Sequence, residues 1–361
     1  MGNSAGQGPC RVIETVTGRF TRTVILENDL LRCQVLADKG ADLYELRYKP
    51  RDTDVLWKAP WGFKELGSFA PTAMSSEVAW MDHYEGGWQE IFPSGGGPST
   101  ALGVEMPFHG EVATVPWDYE ILEAGGQRAQ VRFSVATTRT PFRLQRTMTI
   151  EAGRAEILFE ERLTNDGVMA LDYMWGHHPA YGAPFLSGQC RLDAPAGRFV
   201  ANPSQTDPAR SWLPEGGDLP WPSFTGHDGR VHDLRQIPGP DEHVNNMGYL
   251  VDLQEGWYGL TNQELGFGIG LVWPKEFFPC VWLWQELHGT HLPPWYGRAY
   301  VMGVEIWTSW PGLGLAAAKA NGTTRQLGPN ATDTVSFRAV FYESRRGVRQ
   351  IRPDGSVEVI E

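Results

Sequence analysis

The chain has 361 residues, with 31 Lys and Arg against 43 Asp and Glu side chains, so its formal net charge is −12 at pH 7. A charge of this sign repels phosphate backbones and anionic membranes, which excludes nucleic acid and membrane surfaces as expected partners. The length allows one large β domain or two ordinary domains. The 42 Gly, 26 Pro, 15 Trp, 11 Tyr and 16 Phe residues favour short strands and tight turns, and so an all-β protein.

Blocks of alternating apolar and polar residues predict the strands of this protein. In the clearest block, Val131, Phe133 and Val135 occupy every second position. Turn signals such as Asn-Asp and Lys-Gly separate the shorter segments of the first block. The four blocks are residues 21–57, residues 128–163, residues 247–287 and the segment TVSFRAVFYES near the end of the chain.

The segments outside these blocks predict loops and little helix. Residues 201–243 are rich in Pro, Gly, Asp and Ser without periodicity, which indicates a long excursion over the surface. Residues 314–320, GLAAAKA, indicate one helical turn. Because no repeat, charge run or linker divides the chain, we expect a single domain over residues 21–361 after an N-terminal extension, residues 1–20.

The cysteines and the N-terminal residues give an expectation for the cellular compartment. The four cysteines are far apart and lack CxxC spacing, so we expect reduced thiols rather than zinc ligands or disulfides. The opening MGNSAGQGPCRV lacks the basic start and apolar run of a signal peptide, and no segment approaches the roughly 20 apolar residues of a membrane helix. We therefore expect a soluble, cytoplasmic protein. The cysteines are Cys10, Cys33, Cys190 and Cys280.

Two adjacent histidines stand in the segment MWGHHPAYGAPF, residues 174–185. Pro179 biases His178 toward an extended backbone, so the two imidazoles should point to opposite sides of a strand. Opposed side chains cannot both bind one ion, and we expect no metal. One histidine should face a pocket, and the other should face a neighbouring sheet or solvent.

Other polar residues lie beside aromatic ones, an arrangement that suits a sugar with its flat apolar faces and directed hydroxyls. Glu305 projects alone from the apolar strand YVMGVEIWTSWP; burial should raise its pKa, which makes it a candidate general base. Trp282, Trp284 and Glu286 should share one face of another strand. Core packing of the tryptophans is the alternative explanation, just as His109 in MPFHGEV could be purely structural.

Six segments, in this order and spacing, resemble the aldose 1-epimerases, or galactose mutarotase-like proteins. The resemblance runs from about Val24 to Trp310 and implies a β-supersandwich of large antiparallel sheets, with a sugar bound across the concave sheet and no cofactor. It implies that His178 protonates the ring oxygen, that Glu305 takes the proton of the anomeric hydroxyl, and that His109 helps to hold the substrate. The segments are DKGADLYELRYKPRDTDVLW, GGWQEIFP, FHG, LTNDGVMALDYMWGHHPAYG, LGFGIGLVWP and GVEIWTS.

The expected function is therefore an isomerase that interconverts the anomers of a neutral sugar. Members of the family that act on hexose 6-phosphates show Phe-Ala-Arg after the His-Gly pair, whereas this chain has Glu111, Val112 and Ala113 there. The Asn-Arg pair typical of galactose mutarotases is not evident either. The alternatives are a lyase or glycoside-cleaving enzyme acting on a modified, for example oxidised, sugar or glycoside, and a non-catalytic carbohydrate-binding protein.

The expected partner is a small-molecule carbohydrate, and a homodimer is a further expectation. His178 and Glu305 should face each other across a gap one sugar ring wide, with His177 as a structural neighbour. Besides His109, His178 and Glu305, further residues are expected to bind the substrate. They are Trp88, Gln89, Glu90, Tyr181, Asp241, His243, Trp284, Glu286 and Trp307.

Overall fold

The computed structural model describes residues 9–67 and 75–361. Strands dominate these residues, which confirms the all-β prediction. The helical turn expected at residues 314–320 is present as the second of two short helices. The helices are α1 (Ser76–Asp82) and α2 (Leu315–Ala320), and single 3₁₀ turns span Lys49–Arg51, Pro208–Arg210 and Pro240–Glu242.

The strands of the described residues are short, as the frequent Gly and Pro residues predict. They are β1 (Cys10–Thr17), β2 (Thr21–Glu27), β3 (Leu31–Leu36), β4 (Asp42–Tyr48), β5 (Thr53–Asp54), β6 (Trp88–Ile91), β7 (Ser99–Ala101), β8 (Val104–Met106), β9 (Asp118–Gly126), β10 (Arg128–Ala136), β11 (Phe142–Glu151), β12 (Glu156–Asn165), β13 (Leu171–Tyr173), β14 (Gly176–Gly182), β15 (Cys190–Asp193), β16 (Arg198–Ala201), β17 (Asp218–Pro220), β18 (Ser223–Thr225), β19 (Val231–Asp233), β20 (Val244–Val251), β21 (Trp257–Asn262), β22 (Phe267–Val272), β23 (Cys280–Leu287), β24 (Tyr300–Trp307), β25 (Arg325–Leu327), β26 (Thr332–Glu343), β27 (Val348–Ile351) and β28 (Val357–Val359).

Antiparallel ladders join most of these strands into one continuous series. The first part runs β15–β21–β22–β26–β12–β11–β10–β9–β1–β2–β3–β4. It continues through β6–β14–β24–β23–β20–β16–β17. β1 lies before the boundary that we predicted at residue 21, yet it pairs with β2 from Arg11 to Thr17. The division into domains stays a prediction.

The series folds into two layers that pack face to face. Trp88 on β6 contacts Phe159 on β12, with ring centroids 5.1 Å apart, and Tyr48 on β4 stacks on Phe341 of β26 at 5.1 Å. Side chains from both layers therefore form one large core, which buries apolar surface on the inner face of each sheet. The outer face of β6, β14, β24 and β23 remains available for a site.

Two further expectations can be compared with the structure. All four cysteines are free and buried, as the spacing predicted. After the last residue of β16, residues 202–243 contain only three-residue strands and single 3₁₀ turns, in agreement with a long surface loop region. Neither helix among the described residues is long and apolar enough to span a membrane.

Candidate active site

A cavity of about 240 Å³ opens over the outer face of β14, β24 and β23. Four of the residues selected from the sequence line it: His109, His178, Trp284 and Glu305. A wider depression of about 840 Å³ lies over β10, β11, β12 and β26, but its lining contains no histidine. The smaller cavity is therefore the candidate active site.

The strand registers place the candidate catalytic side chains in one row across the sheet. His178 on β14 lies opposite Gln89 on β6. Gly176 and Ala180 pair with Trp307 and Gly303 on β24, which sets His178 opposite Glu305. Glu305 in turn lies opposite Trp282 on β23. Because directly opposed residues share one face of a sheet, this row brings distant parts of the chain together.

His178 and Glu305 nearly touch. The Nε2 atom of His178 lies 3.5 Å from Oε1 of Glu305, and both side chains are almost fully buried. The expected gap of one sugar ring between them was wrong, because the two residues stand on neighbouring strands. The open space of the cavity therefore lies over the pair and not between its members.

Burial controls the protonation of this pair. It raises the pKa of Glu305 to about 8, although the hydrogen bond from Trp307 acts in the opposite direction. It lowers the pKa of His178 to about 4, and the nearby positive charge of Lys39 contributes in the same sense. Lys39 is itself buried between Asp42 and Glu85. Between these two pKa values the pair holds one proton, so it contains one donor and one acceptor.

His109 is held in one tautomer above the pair. Its Nδ1 atom accepts a hydrogen bond of 3.1 Å from the backbone N–H of Gly96, which leaves the proton of the neutral ring on Nε2. Burial keeps its pKa well below the ordinary value, so the ring stays neutral. The His109 and His178 ring centroids are 5.5 Å apart. Both His109 and Gly110 adopt left-handed backbone conformations, and a Cβ on Gly110 would lie 2.3 Å from the carbonyl oxygen of Phe92.

A stacked pair of indoles supports Glu305. The rings of Trp282 and Trp307 lie 3.8 Å apart with an interplanar angle of 11°. Trp282 lines the cavity, whereas Trp307 lies beneath it and donates a hydrogen bond of 2.9 Å from Nε1 to Oε2 of Glu305. Trp307 therefore holds the carboxyl group from beneath and does not itself line the cavity. Space for its indole exists because Gly95 and Gly176 lack side chains.

We expect Gly176→Ala to destabilise the protein by about 1–3 kcal/mol, the usual range for overpacking. A Cβ at this position would lie 2.1 Å from an indole carbon of Trp307, which Trp282 blocks from moving. Urea unfolding measures the change. Gly328→Ala is the matched control, since its Cβ would meet only the Ala331 side chain at 3.8 Å. Equal effects of the two substitutions would contradict the close packing at Gly176.

His177 points to the other side of β14, into the core, so the predicted opposition of the two histidines is confirmed. Its Nε2 atom lies 3.1 Å from Oε2 of Glu161, and its Nδ1 atom accepts a hydrogen bond from the indole of Trp88 at 3.3 Å. Glu90 completes the group through an ion pair of 3.2 Å with Arg146. Burial raises the pKa of Glu161 to about 8 and that of Glu90 to about 7, and lowers that of His177 to about 4.

Glu90, Glu161 and His177 are close enough to share a cation, since their ligand atoms lie within 4.8 Å of one another. The hydrogen bonds do not fit that use. A metal on Nε2 of His177 would require the ring proton on Nδ1, where the Trp88 N–H already points. The guanidinium of Arg146 also occupies Glu90. The group is better described as a buried hydrogen-bonded cluster beside the Glu90–Arg146 ion pair.

The structure does not bring the other expected ligand contacts to the cavity. Trp88, Glu90 and Tyr181 point into the core, where Tyr181 Oη bonds to Tyr258 Oη at 2.8 Å. Gln89 is on the outer face, but it is fully buried and bonded to Asp42. The carboxylate of Glu286 is hydrogen-bonded to Asn245 and Thr290, and Trp307 lies beneath Trp282. Asp241 and His243 are exposed, on and just after a 3₁₀ turn.

Trp80 and Tyr84 are among the cavity residues that were missed from the sequence. Trp80 on α1 and Tyr84 just after it stack with centroids 4.5 Å apart. Trp80 also meets the His109 ring at 4.6 Å, and Tyr84 meets the His178 ring at 5.7 Å. Their spacing of four residues, typical of one helix face, was the available signal. Both are buried, and neither Trp80 Nε1 nor Tyr84 Oη has a hydrogen-bond partner.

Comparison with known proteins identifies the fold. A family profile described as "Domain of unknown function (DUF4432)" matches residues 18–339. No curated protein shows significant sequence similarity. A "putative aldose 1-epimerase" from Klebsiella pneumoniae superposes with a TM-score of 0.71 at 15% identity, covering 95% of this chain and 89% of its own. The Slr1438 protein from Synechocystis superposes with a TM-score of 0.65 at 14% identity, covering 91% of this chain and 99% of its own.

A galactose mutarotase-like protein from Clostridium acetobutylicum gives a TM-score of 0.62 at 12% identity, covering 93% of this chain and 99% of its own. Identities this low carry the fold alone. The prediction of a galactose mutarotase-like supersandwich is confirmed.

Proposed function

We propose that this chain, which belongs to the DUF4432 family, is an aldose 1-epimerase-like isomerase that interconverts the anomers of a neutral sugar. The observation that carries the proposal is the pair His178 and Glu305, 3.5 Å apart under an aromatic cavity of about 240 Å³. This volume is below the range of drug-sized sites and suits one sugar ring.

The reaction needs one proton donor and one acceptor. Ring opening moves a proton from the anomeric hydroxyl to the acceptor and another from the donor to the ring oxygen; rotation and reclosure by the reverse steps give the other anomer. Both oxygens are bonded to the same carbon, so neighbouring side chains such as His178 and Glu305 can reach both. His109 supports the step as a neutral Nε2–H donor to an oxygen that gains charge.

The resemblance assigns the donor role to His178 and the acceptor role to Glu305. The pKa values of about 8 and about 4 favour the shared proton on Glu305. A sugar hydroxyl that donates to the carboxylate stabilises its ionised form and so favours transfer of that proton to His178. The pair returns to its starting state after each interconversion.

The charges of the cavity support a neutral substrate. Among residues 9–67 and 75–361, no Lys or Arg side chain lines it, so a phosphate or carboxylate would lack a counterion there. Of the described residues that line it, Glu305 alone has a buried carboxyl group, since Glu77 is exposed at the rim. Most glycoside hydrolases use two carboxyl groups, which favours the isomerase over a glycoside-cleaving enzyme.

We expect purified protein to accelerate anomer exchange of a neutral aldose with a bell-shaped pH dependence of kcat/KM. The rate should fall below a pKa of about 4, where His178 becomes protonated as well, and above about 8, where Glu305 loses its proton. Exchange NMR on a panel of aldoses, corrected for the buffer reaction, measures this. No acceleration with any aldose would contradict the proposed function, and a flat profile from pH 5 to 9 would contradict the assigned pair.

A further inference from the structure

Most tryptophans of this protein use their indole N–H groups inside the fold. Nine of the fifteen donate to a protein acceptor. Trp282, in the wall of the active-site cavity, is one of the nine and donates to the carbonyl oxygen of Ser309 at 2.8 Å. The other tryptophans of this wall, Trp80, Trp284 and Trp295, have no acceptor among the described residues. Their N–H groups therefore require an explanation.

Solvent access separates the unpartnered polar atoms of the wall into two groups. Trp80 Nε1, Tyr84 Oη and His178 Nδ1 are sealed from solvent, so a ligand in the cavity does not touch them. The Nε1 atoms of Trp284 and Trp295 are not sealed in this way, although both side chains are at least half-buried. These two indole groups are the ones that a ligand can reach.

Beyond the pair of His178 and Glu305, the buried polar side chains that a ligand can reach in the described wall are all donors. An indole N–H donates and cannot accept, and the neutral ring of His109 presents Nε2–H. The glycines of the wall do not balance these donors. The carbonyl groups of Gly96 and Gly312 already accept from the N–H groups of His109 and Gly97, and a Cβ on Gly314 would lie 2.6 Å from the carbonyl oxygen of Gly97.

Trp284 lies directly beside the pair. Its ring centroid is 5.7 Å from that of His178. Gly303 lies opposite Trp284 in the ladder, and a Cβ on it would be 2.5 Å from Oε1 of Glu305 and 3.3 Å from a ring carbon of Trp284. A ligand that contacts the pair is therefore also close to Trp284. Trp295 extends this wall, with its ring centroid 5.5 Å from that of Trp284.

We propose that Trp284 and Trp295 are specificity-determining residues, whose indole N–H groups each donate a hydrogen bond to a hydroxyl oxygen of the sugar outside the reacting centre. The proposal rests on the proposed function and adds the groups that recognise the substrate. It requires no particular orientation of the ring, only that two of its hydroxyl oxygens act as acceptors. A sugar without such a hydroxyl leaves an indole donor unpaired and is bound less well.

The test combines deoxy sugars with Trp→Phe variants. The parent is the aldose that exchanges fastest among D-glucose, D-galactose, D-mannose, D-xylose and L-arabinose, and each derivative has one hydroxyl, other than the anomeric one, replaced by hydrogen. In the wild type we expect kcat/KM to fall by about tenfold or more for a derivative that lacks a bonded hydroxyl. Trp284→Phe and Trp295→Phe keep an aromatic ring without the N–H, so each should reduce the loss at one ring position to about threefold or less. Because each loss compares two sugars on one protein, a general effect of the smaller ring cancels.

Trp282→Phe is the matched control, since Trp282 lines the same cavity but its N–H is bonded to Ser309; it should keep every loss seen in the wild type. If the wild type shows no loss above about threefold, or if the losses persist at every position in both variants, the inference is overturned and the proposed function stands. Disappearance of the same losses in Trp282→Phe also counts against the inference. Exchange no faster than in buffer for all five aldoses overturns both proposals.

Discussion

Replacing Glu305 with Gln should lower the rate of anomer exchange by about 10³-fold, within the usual range for a lost acid–base group. Gln keeps the shape of the side chain and an oxygen for the Trp307 N–H, but it cannot give or take a proton. We expect the loss in kcat, since sugar contacts with Trp282 and Trp284 remain. Exchange NMR at saturating sugar measures it, with Glu156→Gln on β12 as a remote control.

The same variant has a second signature in its stability. In the wild type, burial raises the pKa of Glu305 from 4.5 to about 8, so its protonated form is preferred in the folded state. Its contribution to stability is therefore fully present below pH 4.5 and is lost as the pH rises toward 8. Glu305→Gln should become more stable relative to wild type over that interval.

An anomer-exchange rate of Glu305→Gln within tenfold of the wild-type rate would show that Glu305 transfers no proton in this reaction.

The adjacent histidines should respond oppositely to the same substitution. His178→Asn should reduce exchange by about 10³-fold with little change in stability, because it removes a proton-transfer group from the cavity wall. His177→Asn should reduce the free energy of unfolding by about 3 kcal/mol, because Glu161 and the Trp88 N–H lose their partner inside the core. Its rate per folded molecule should stay within a few-fold of wild type.

Each variant is the control for the other, since the two positions share a strand, a residue type and near-complete burial. Urea unfolding and exchange NMR below the transition of the weaker variant give both quantities. A reversed pattern, with His177→Asn inactive but stable, would mean that the wrong histidine has been assigned to the cavity.

Local patterns in the sequence pointed to the adjacent histidines and to Glu305 as candidates, but only the resemblance chose His178 over His177. Pro179 fixes the extended backbone of His178, so the opposed side chains follow from the sequence alone. Glu305 stands out because its strand is otherwise apolar, and a buried isolated acid is costly unless it has a use. The resemblance then connects these residues with His109. These residues come together in one cavity because of the registers between strands that are far apart in sequence. No local sequence pattern predicts those registers.

The ligand contacts were harder to predict because both faces of the central strands are buried. Every residue of β6 is buried, so alternation cannot tell which of Trp88, Gln89 and Glu90 faces the core. The same ambiguity misplaced Tyr181 on β14. Asp241 and His243 lie in residues 201–243, a surface loop region whose course cannot be predicted because it lacks hydrophobic periodicity. Trp80 was overlooked because α1 interrupts a region that was interpreted only as turns and strands.

The row formed by Gln89, His178, Glu305 and Trp282 has a consequence for how the site is maintained. The spacing of these side chains is set by main-chain hydrogen bonds between neighbouring strands, rather than by the conformation of a loop. The entropy of aligning these four side chains is therefore lost when the protein folds, before any ligand binds. The site is preorganised, so binding need not spend free energy to assemble it.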